Sequence, residues 1–253
     1  FVGFITLMQA VFLGFSDQPK WIIKLGYISL ILVITQGILG GITVLYFLPP
    51  VISIIHGILA QTFFLFTILI AYGLSSERTN REDSGYTKSL RKISFIIISM
   101  VYIQLILGAL TRHTASGLAI PDFPTMGGLW IPTFSESMIN NINVMLFDLD
   151  LDMIERYQVI IHFSHRLGAF IITFTIGYFF VRYKNIIKEY HHIYKTFIFF
   201  SVILLIQLSL GILTVLSERS PYIASFHVLT GAALLGLSFL FVLRTYPIKF
   251  RDW

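Results

Sequence analysis

Gln36-Gly37-Ile38-Leu39-Gly40-Gly41-Ile42-Thr43 returns as Gln207-Leu208-Ser209-Leu210-Gly211-Ile212-Leu213-Thr214, and again as Gln104-Leu105-Ile106-Leu107-Gly108-Ala109-Leu110-Thr111. Positions 36 and 207 differ by 171, and the same offset carries Pro50 onto Pro221 and His56 onto His227. One offset that aligns three features across two apolar segments marks an internal repeat. Within each copy the small residues let helices approach closely, and Gln and Thr can hydrogen-bond across the contact. Gly37 and Gly41 form a GxxxG pair of the same kind. Helix packing is therefore the preferred reading of the element, ahead of a direct role for its Gln in a site.

The segments that carry the repeat are membrane spans by length and composition. Apolar residues make up 56% of the 253 positions and charged residues 12%, too little polar surface for one soluble core of this size. Runs of roughly 20 residues with few or no charges match the thickness of a bilayer core. The hydropathy predicts a partial span over 1–15 and spans over 22–47, 51–73, 93–111, 157–181, 194–216 and 222–243. There is no cysteine, which removes disulfides, thiolate metal sites and cysteine nucleophiles.

The formal charge of +5 reports topology. Only Arg112, Arg156, Arg166 and Arg219 among the 18 Lys and Arg fall on one side; the others lie in alternate connections or at the C-terminus. By the positive-inside rule the basic loops and the C-terminus are expected in the cytoplasm, and the loop over 112–156 on the outer side. This placement leaves no basic patch for nucleic acid. The long loop carries Thr133-Phe134-Ser135-Glu136, which reads as a capping box with Thr133 as N-cap. Met138, Ile139, Ile142, Met145 and Leu146 follow at helical spacing, and that helix is expected to lie flat on the outer surface.

The fold expected is an all-α integral membrane protein built from two parallel-repeat four-helix bundles. The first half is represented over 1–75, a cytoplasmic linker over 76–92 follows, and the second half covers 93–253. The chain begins with Phe1, and the 171-residue offset carries His165 to six positions before it. The matching part of the first half is therefore expected upstream.

Four of the seven histidines, His56, His162, His165 and His227, fall inside predicted spans, where an ionisable group is costly and usually functional. His56 and His227 each follow a helix-starting proline by six residues, and His165 follows Tyr157 by eight. Each therefore lies roughly 10 Å along its helix from the outer end. His165 and His227, at matched depth in one four-helix unit, suit the two axial nitrogens that heme iron takes. His162 is open between alternative ligand, proton-handling group and packing. Arg166 could pair with heme propionates or with loop carboxylates. No HExxH, GxSxG or Gly-rich phosphate loop occurs, and no span carries a carboxylate.

Taken together, His162-Phe163-Ser164-His165-Arg166, the loop from Arg112 through Pro121-Asp122-Phe123-Pro124, the repeated Gln-x-x-Leu-Gly and the single His56 and His227 resemble the heme A synthase family. The resemblance covers essentially the whole chain. It implies eight transmembrane helices in two pseudo-symmetric halves, about seven of them present here, and oxidation of a ring methyl of heme O to the formyl group of heme A. A heme b would sit between His165 and His227. His56 would face the substrate heme, and the catalytic Glu of a Glu-x-x-His-Arg motif would lie upstream of Phe1. The chain resembles the cysteine-free type. Its setting would be a bacterial plasma membrane or a mitochondrial inner membrane, with heme O as substrate. Heme O synthase, an electron donor and a second copy of the chain are the protein partners left open. A diheme electron-transfer cytochrome b and a heme-handling transporter or chaperone are the alternatives.

Overall fold

The computed structural model describes residues 1–79 and 88–246; the middle of the 76–92 linker and the last residues of the chain lie outside them. The described residues form helices α1 (Val2–Gly14), α2 (Lys20–Leu45), α3 (Pro50–Gly73), α4 (Ser76–Thr79), α5 (Lys88–His113), α6 (Glu136–Asp148), α7 (Arg156–Lys188), α8 (His191–Leu216) and α9 (Pro221–Thr245). A short 3-10 turn occupies Ser116–Leu118. Six of them, α2, α3, α5, α7, α8 and α9, are long and apolar enough to cross a membrane.

The apolar exposure of these helices fits lipid. On α8, Phe199, Val202, Leu205 and Ile206 are all exposed and recur at helical spacing. A water-soluble chain rarely leaves so continuous an apolar face uncovered. The protein is an integral membrane protein. Several helices run past the hydropathy boundaries: α5 begins at Lys88, not 93, and α7 continues to Lys188, not 181. With 33 residues α7 is about 50 Å long, against about 30 Å of hydrocarbon. Hydropathy sees the apolar middle, and the charged turns simply continue the helix beyond it.

Two compact units are present. The first holds the described residues among 1–95 together with 239–246. In it α1, α2 and α3 pack in sequence through a small core of Leu13, Ile22 and Ile70, flanked by Trp21 and Leu25. Gly26 and Gly73 leave room for Leu13 and Trp21, because a Cβ at either position would overlap them. The last turns of α9 pack within this unit. Arg244 grips Glu77 with two hydrogen bonds of 2.7 Å, and the hydroxyls of Ser94 and Thr245 meet at 2.8 Å.

The turns that join α2 to α3 and α8 to α9 are the same structure. Phe47 and Leu48 take φ of 54° and 58°, and Glu218 and Arg219 take 51° and 64°. Leu48 N–H donates to Thr43 O at 2.7 Å, and Arg219 N–H to Thr214 O at 2.8 Å. Each pair lies 171 residues from its counterpart, so the repeat extends to the backbone. Such a helix end normally places glycine in the left-handed region; other residues there cost about 1–2 kcal/mol each. Pro50 and Pro221 then start the next helix, where a missing N–H costs nothing.

The second unit, residues 96–238, includes the long loop, which folds around its own core. Ala119, Ile120, Met138, Ile139, Ile142, Leu146, Ile154 and Val159 are buried together, with Phe134 and Phe163 against them. The N-cap of α6 is Ser135, whose Oγ accepts from Met138 N–H at 3.3 Å; Thr133, expected as the cap, instead hydrogen-bonds the Ser135 hydroxyl. The apolar face of α6 is also turned differently from expectation. Met138 and Ile142 face this core and not lipid, because the segments before and after α6 supply enough apolar surface to cover them.

Asp122 organises the turn that follows the 3-10 helix. Its carboxylate accepts from Gly127 N–H at 2.6 Å and Gly128 N–H at 2.9 Å. Burial, the largest single influence, pushes its pKa up, but hydrogen bonds from Thr125, Gly128 and Gly127 together outweigh it and hold the carboxyl below its usual value. A depressed carboxyl contributes stability above its unfolded pKa and loses it as pH falls through the folded one. At neutral pH, Asp122→Ala should speed amide exchange in the 120–129 segment. That gap should close as pH drops through the folded value, below 3.8.

Packing gives a second expectation. Ile142 is fully buried, whereas Val144 on the opposite face of α6 is 61% exposed. Ile142→Ala should cost about 2–5 kcal/mol and Val144→Ala under about 0.5 kcal/mol. Thermal melts in detergent should separate the two variants. Equal melting points would mean that α6 does not depend on this core.

Candidate heme-binding site in the helix bundle

The start of α7 is fixed by a capping box. Glu155 N–H donates to Gln158 Oε1 at 2.9 Å, while Gln158 Nε2 donates to Thr114 O, just beyond α5, at 3.0 Å. The long loop thus leaves α5 and returns to it. Gln104 lies nine residues before the end of α5 at His113, and His165 nine residues after the start of α7 at Arg156. Both are about 13 Å from the helix ends that the cap ties together.

The two side chains meet. Gln104 Nε2 donates to His165 O at 2.7 Å and lies 3.1 Å from His165 Nδ1. Glycines complete the contact on both helices. A Cβ on Gly108 would lie 3.3 Å from His165 Cε1, and one on Gly168 would overlap Gln104 Oε1. The α8–α9 pair repeats the arrangement. Gln207 Nε2 lies 3.4 Å from His227 Nε2, and Gln207 Oε1 accepts from the Thr230 hydroxyl. A Cβ on Gly211 would come within 3.1 Å of His227 Cε1, and one on Gly231 within 3.2 Å of Gln207 Nε2.

His165 and His227 face one another. Their ring centres are 6.4 Å apart and their planes 80° to one another. Among the described residues no hydrogen bond joins the rings. Metal–imidazole bonds run about 2 Å, and with about 1 Å from each nitrogen to its ring centre, two ligands on one metal span about 6 Å. The separation fits one metal atom between the rings. His227 Nδ1 is buried and has no hydrogen-bond partner, a state that coordination or a polar ligand would relieve. The residues present therefore suit a heme iron held by two imidazoles.

His56 lies in the first unit, in the same local setting. Gln36 Nε2 donates to His56 O at 2.9 Å, a Cβ on Gly40 would lie 3.5 Å from His56 Cε1, and His56 Nδ1 is buried without a partner. The structure thus brings His165 and His227 together and gives His56 its own Gln–Gly contact in α2.

His162 and Arg166 serve the loop. Ile120 N–H donates to His162 Nδ1 at 3.1 Å. A backbone N–H can only donate, so Nδ1 is an acceptor and the ring proton sits on Nε2. The 3.3 Å approach of Arg166 Nε to that nitrogen is then a contact between two donors and not a hydrogen bond. Arg166 spends its other nitrogens on carbonyls: Nη2 on Ile120 O at 2.7 Å, Nη1 on Asp122 O at 3.0 Å and Thr125 O at 3.4 Å. These bonds turn most of the guanidinium toward the loop.

The sequence suggests helix packing for Gln104 and Gln207, and both do make contacts across a helix pair; what it leaves unnamed is that each faces a histidine. A signal was available: Gln36 precedes His56 by 20 positions, and Gln207 precedes His227 by 20 as well. Only the 112–156 insertion hides the third pair.

Helices long and apolar enough to cross a membrane, a two-helix unit of Gln and His repeated along the chain, and facing imidazoles at a spacing that suits one metal define a membrane helix-bundle protein with a candidate metal site. Residues 1–239 match the COX15-CtaA family, cytochrome oxidase assembly protein, and the chain belongs to that family. It is 30% identical over 243 residues to a heme A synthase of Rickettsia akari, covering 92% of this chain and 68% of that protein. It is 26% identical over 257 residues to a heme A synthase of Pelagibacter ubique, covering 96% and 69%. A Rickettsia prowazekii heme A synthase is 32% identical over 151 residues, 59% of this chain and 41% of the relative. The chain thus spans between 41% and 69% of the length of these three relatives.

Proposed function

We propose that this protein works in heme A synthesis, with heme b held by His165 and His227 and heme O oxidised at a ring methyl to give heme A. The observation that carries the reading is the pair of facing imidazoles, 6.4 Å between centres, in a chain of the cytochrome oxidase assembly family. When bound, heme supplies one-electron redox chemistry tuned by its axial ligands and their surroundings. The chain's own residues do the rest. His165 and His227 bind through ring nitrogens, and Gly108 and Gly211 leave the space their rings occupy. Arg166 holds the loop carbonyls of residues 120–125 to α7, and any N–H it has left over would be the group that pairs with a propionate. His56 would serve the substrate heme in the first half, residues 1–75. The basic connections would face the cytoplasm and the 112–156 loop the outer side, of a bacterial plasma membrane or a mitochondrial inner membrane.

The test is to purify the full-length gene product, including any sequence before Phe1, from membranes that supply heme O and to extract and identify its hemes. Wild type should show a low-spin heme b and yield heme O or heme A beside it. His165→Ala and His227→Ala should each abolish the low-spin b spectrum. His56→Ala should keep it while losing the heme O and heme A fraction. A wild-type protein that carries heme b alone and converts no heme O would overturn the synthase reading in favour of electron transfer.

A further inference from the structure

Gln104 stands in an unusual position for a buried amide. Its Nε2 is used twice, at 2.7 Å to His165 O and 3.1 Å from His165 Nδ1, whereas its Oε1 is buried with no partner. Such an orphaned oxygen is costly and calls for a reason. The space it occupies exists only because residue 168 is glycine, since a Cβ there would overlap it.

The chemistry of the neighbouring ring supplies the reason. With Nδ1 beside Gln104, the ring nitrogen left for a metal is Nε2, which must then be deprotonated. The single proton of the neutral ring moves to Nδ1, and Nδ1–H needs an acceptor. Metal-bound histidines almost always donate this second N–H to a fixed oxygen. The amide of Gln104 holds one, unspent and adjacent. Gln207 differs: its Oε1 is taken by the Thr230 hydroxyl, so it offers His227 only N–H groups.

We propose that Gln104 is the positioning residue of the heme site, giving up its bond to His165 O and turning Oε1 onto His165 Nδ1–H when iron binds at Nε2, with Gly108 and Gly168 clearing the ring and the amide. Gln104 then does two things from outside the iron's coordination shell. It fixes the rotation of the imidazole about its own axis, and it makes His165 the more electron-donating of the two ligands. An acceptor on Nδ1–H raises the basicity of the bound nitrogen and so favours ferric over ferrous iron. The proposal rests on the reading that His165 ligates heme, and the wild-type spectrum tests that reading by itself.

The experiment is redox titration and electron paramagnetic resonance of the purified wild type and of Gln104→Leu, Gln104→Glu and Gly168→Ala, with Gln36→Leu as control. Removing the acceptor in Gln104→Leu should raise the midpoint potential of the His165–His227 heme, and heme should be retained about 10- to 100-fold less tightly. A carboxylate in Gln104→Glu should lower the potential. Gly168→Ala, which displaces the oxygen without deleting it, should shift potential and g values in the direction of Gln104→Leu. Gln36→Leu should move neither. A Gln that merely packs would give shifts of one sign, or none, for Leu and Glu alike, and that result overturns the proposal. If Gln104→Leu fails to accumulate, the Glu and Gly168 variants still decide it. A wild type without a bis-imidazole signature would instead remove the heme reading itself.

Discussion

The constraint on which this molecule depends is that an imidazole inside an apolar helix bundle needs both a polar partner and room. A buried ring nitrogen without either is expensive, and lipid offers nothing to satisfy it. One element, Gln-x-x-x-Gly, whose two residues lie one helical turn apart on the same face, supplies the room at all three histidines and a ring contact at His165 and His227, while Nδ1 of His56 and of His227 stays unpaired. The Gln reaches the neighbouring helix at its histidine, and the Gly four residues on removes the Cβ that would meet the ring. Three helix pairs carry it. In two of them the tight turn of left-handed residues before Pro50 or Pro221 sets the 20-residue spacing that brings Gln and His level.

From this unit the larger organisation follows. A Gln helix and a His helix form the smallest repeat, finer than the four-helix repeat first read from the 171-residue offset. In the second unit two such pairs, α5–α7 and α8–α9, present His165 and His227 to each other at a spacing that suits one metal. The long insertion between α5 and α7 does not disturb the pairing, because Gln158 ties the start of α7 back to Thr114. Its own core, centred on Ile120 and Ile142, and the grip of Arg166 on loop carbonyls make it a rigid cover for that helix end.

Much of this was legible in the sequence, and what was not has physical causes. Apolar length gave the spans, and the prolines gave the starts of α3 and α9. Hydropathy missed the first turn of α5 and the last turns of α7 because helices continue beyond the apolar stretch through Lys and Arg. The cap at Ser135 was misplaced by two residues because Thr133 and Ser135 both present a hydroxyl at a helix start, and only Phe134 taking a left-handed φ of 55° decides between them. The direction of α6 was unreadable locally, since an amphipathic helix looks the same whether it faces lipid or protein. That Gln104 lies against His165 was hidden for a similar reason: a glutamine in a small-residue stripe signals a helix contact without naming its partner, here 61 positions away.

The central claim is that His165 and His227 are the two axial ligands of one iron. Near-infrared magnetic circular dichroism of the oxidised, purified protein tests it most directly, because the energy of the ligand-to-iron band distinguishes two imidazoles from one imidazole with water or thioether. The account predicts a single bis-imidazole species in wild type and in His56→Ala, replaced by a one-imidazole species or lost in His165→Ala and in His227→Ala. A bis-imidazole band that survives either of those last two substitutions would contradict it.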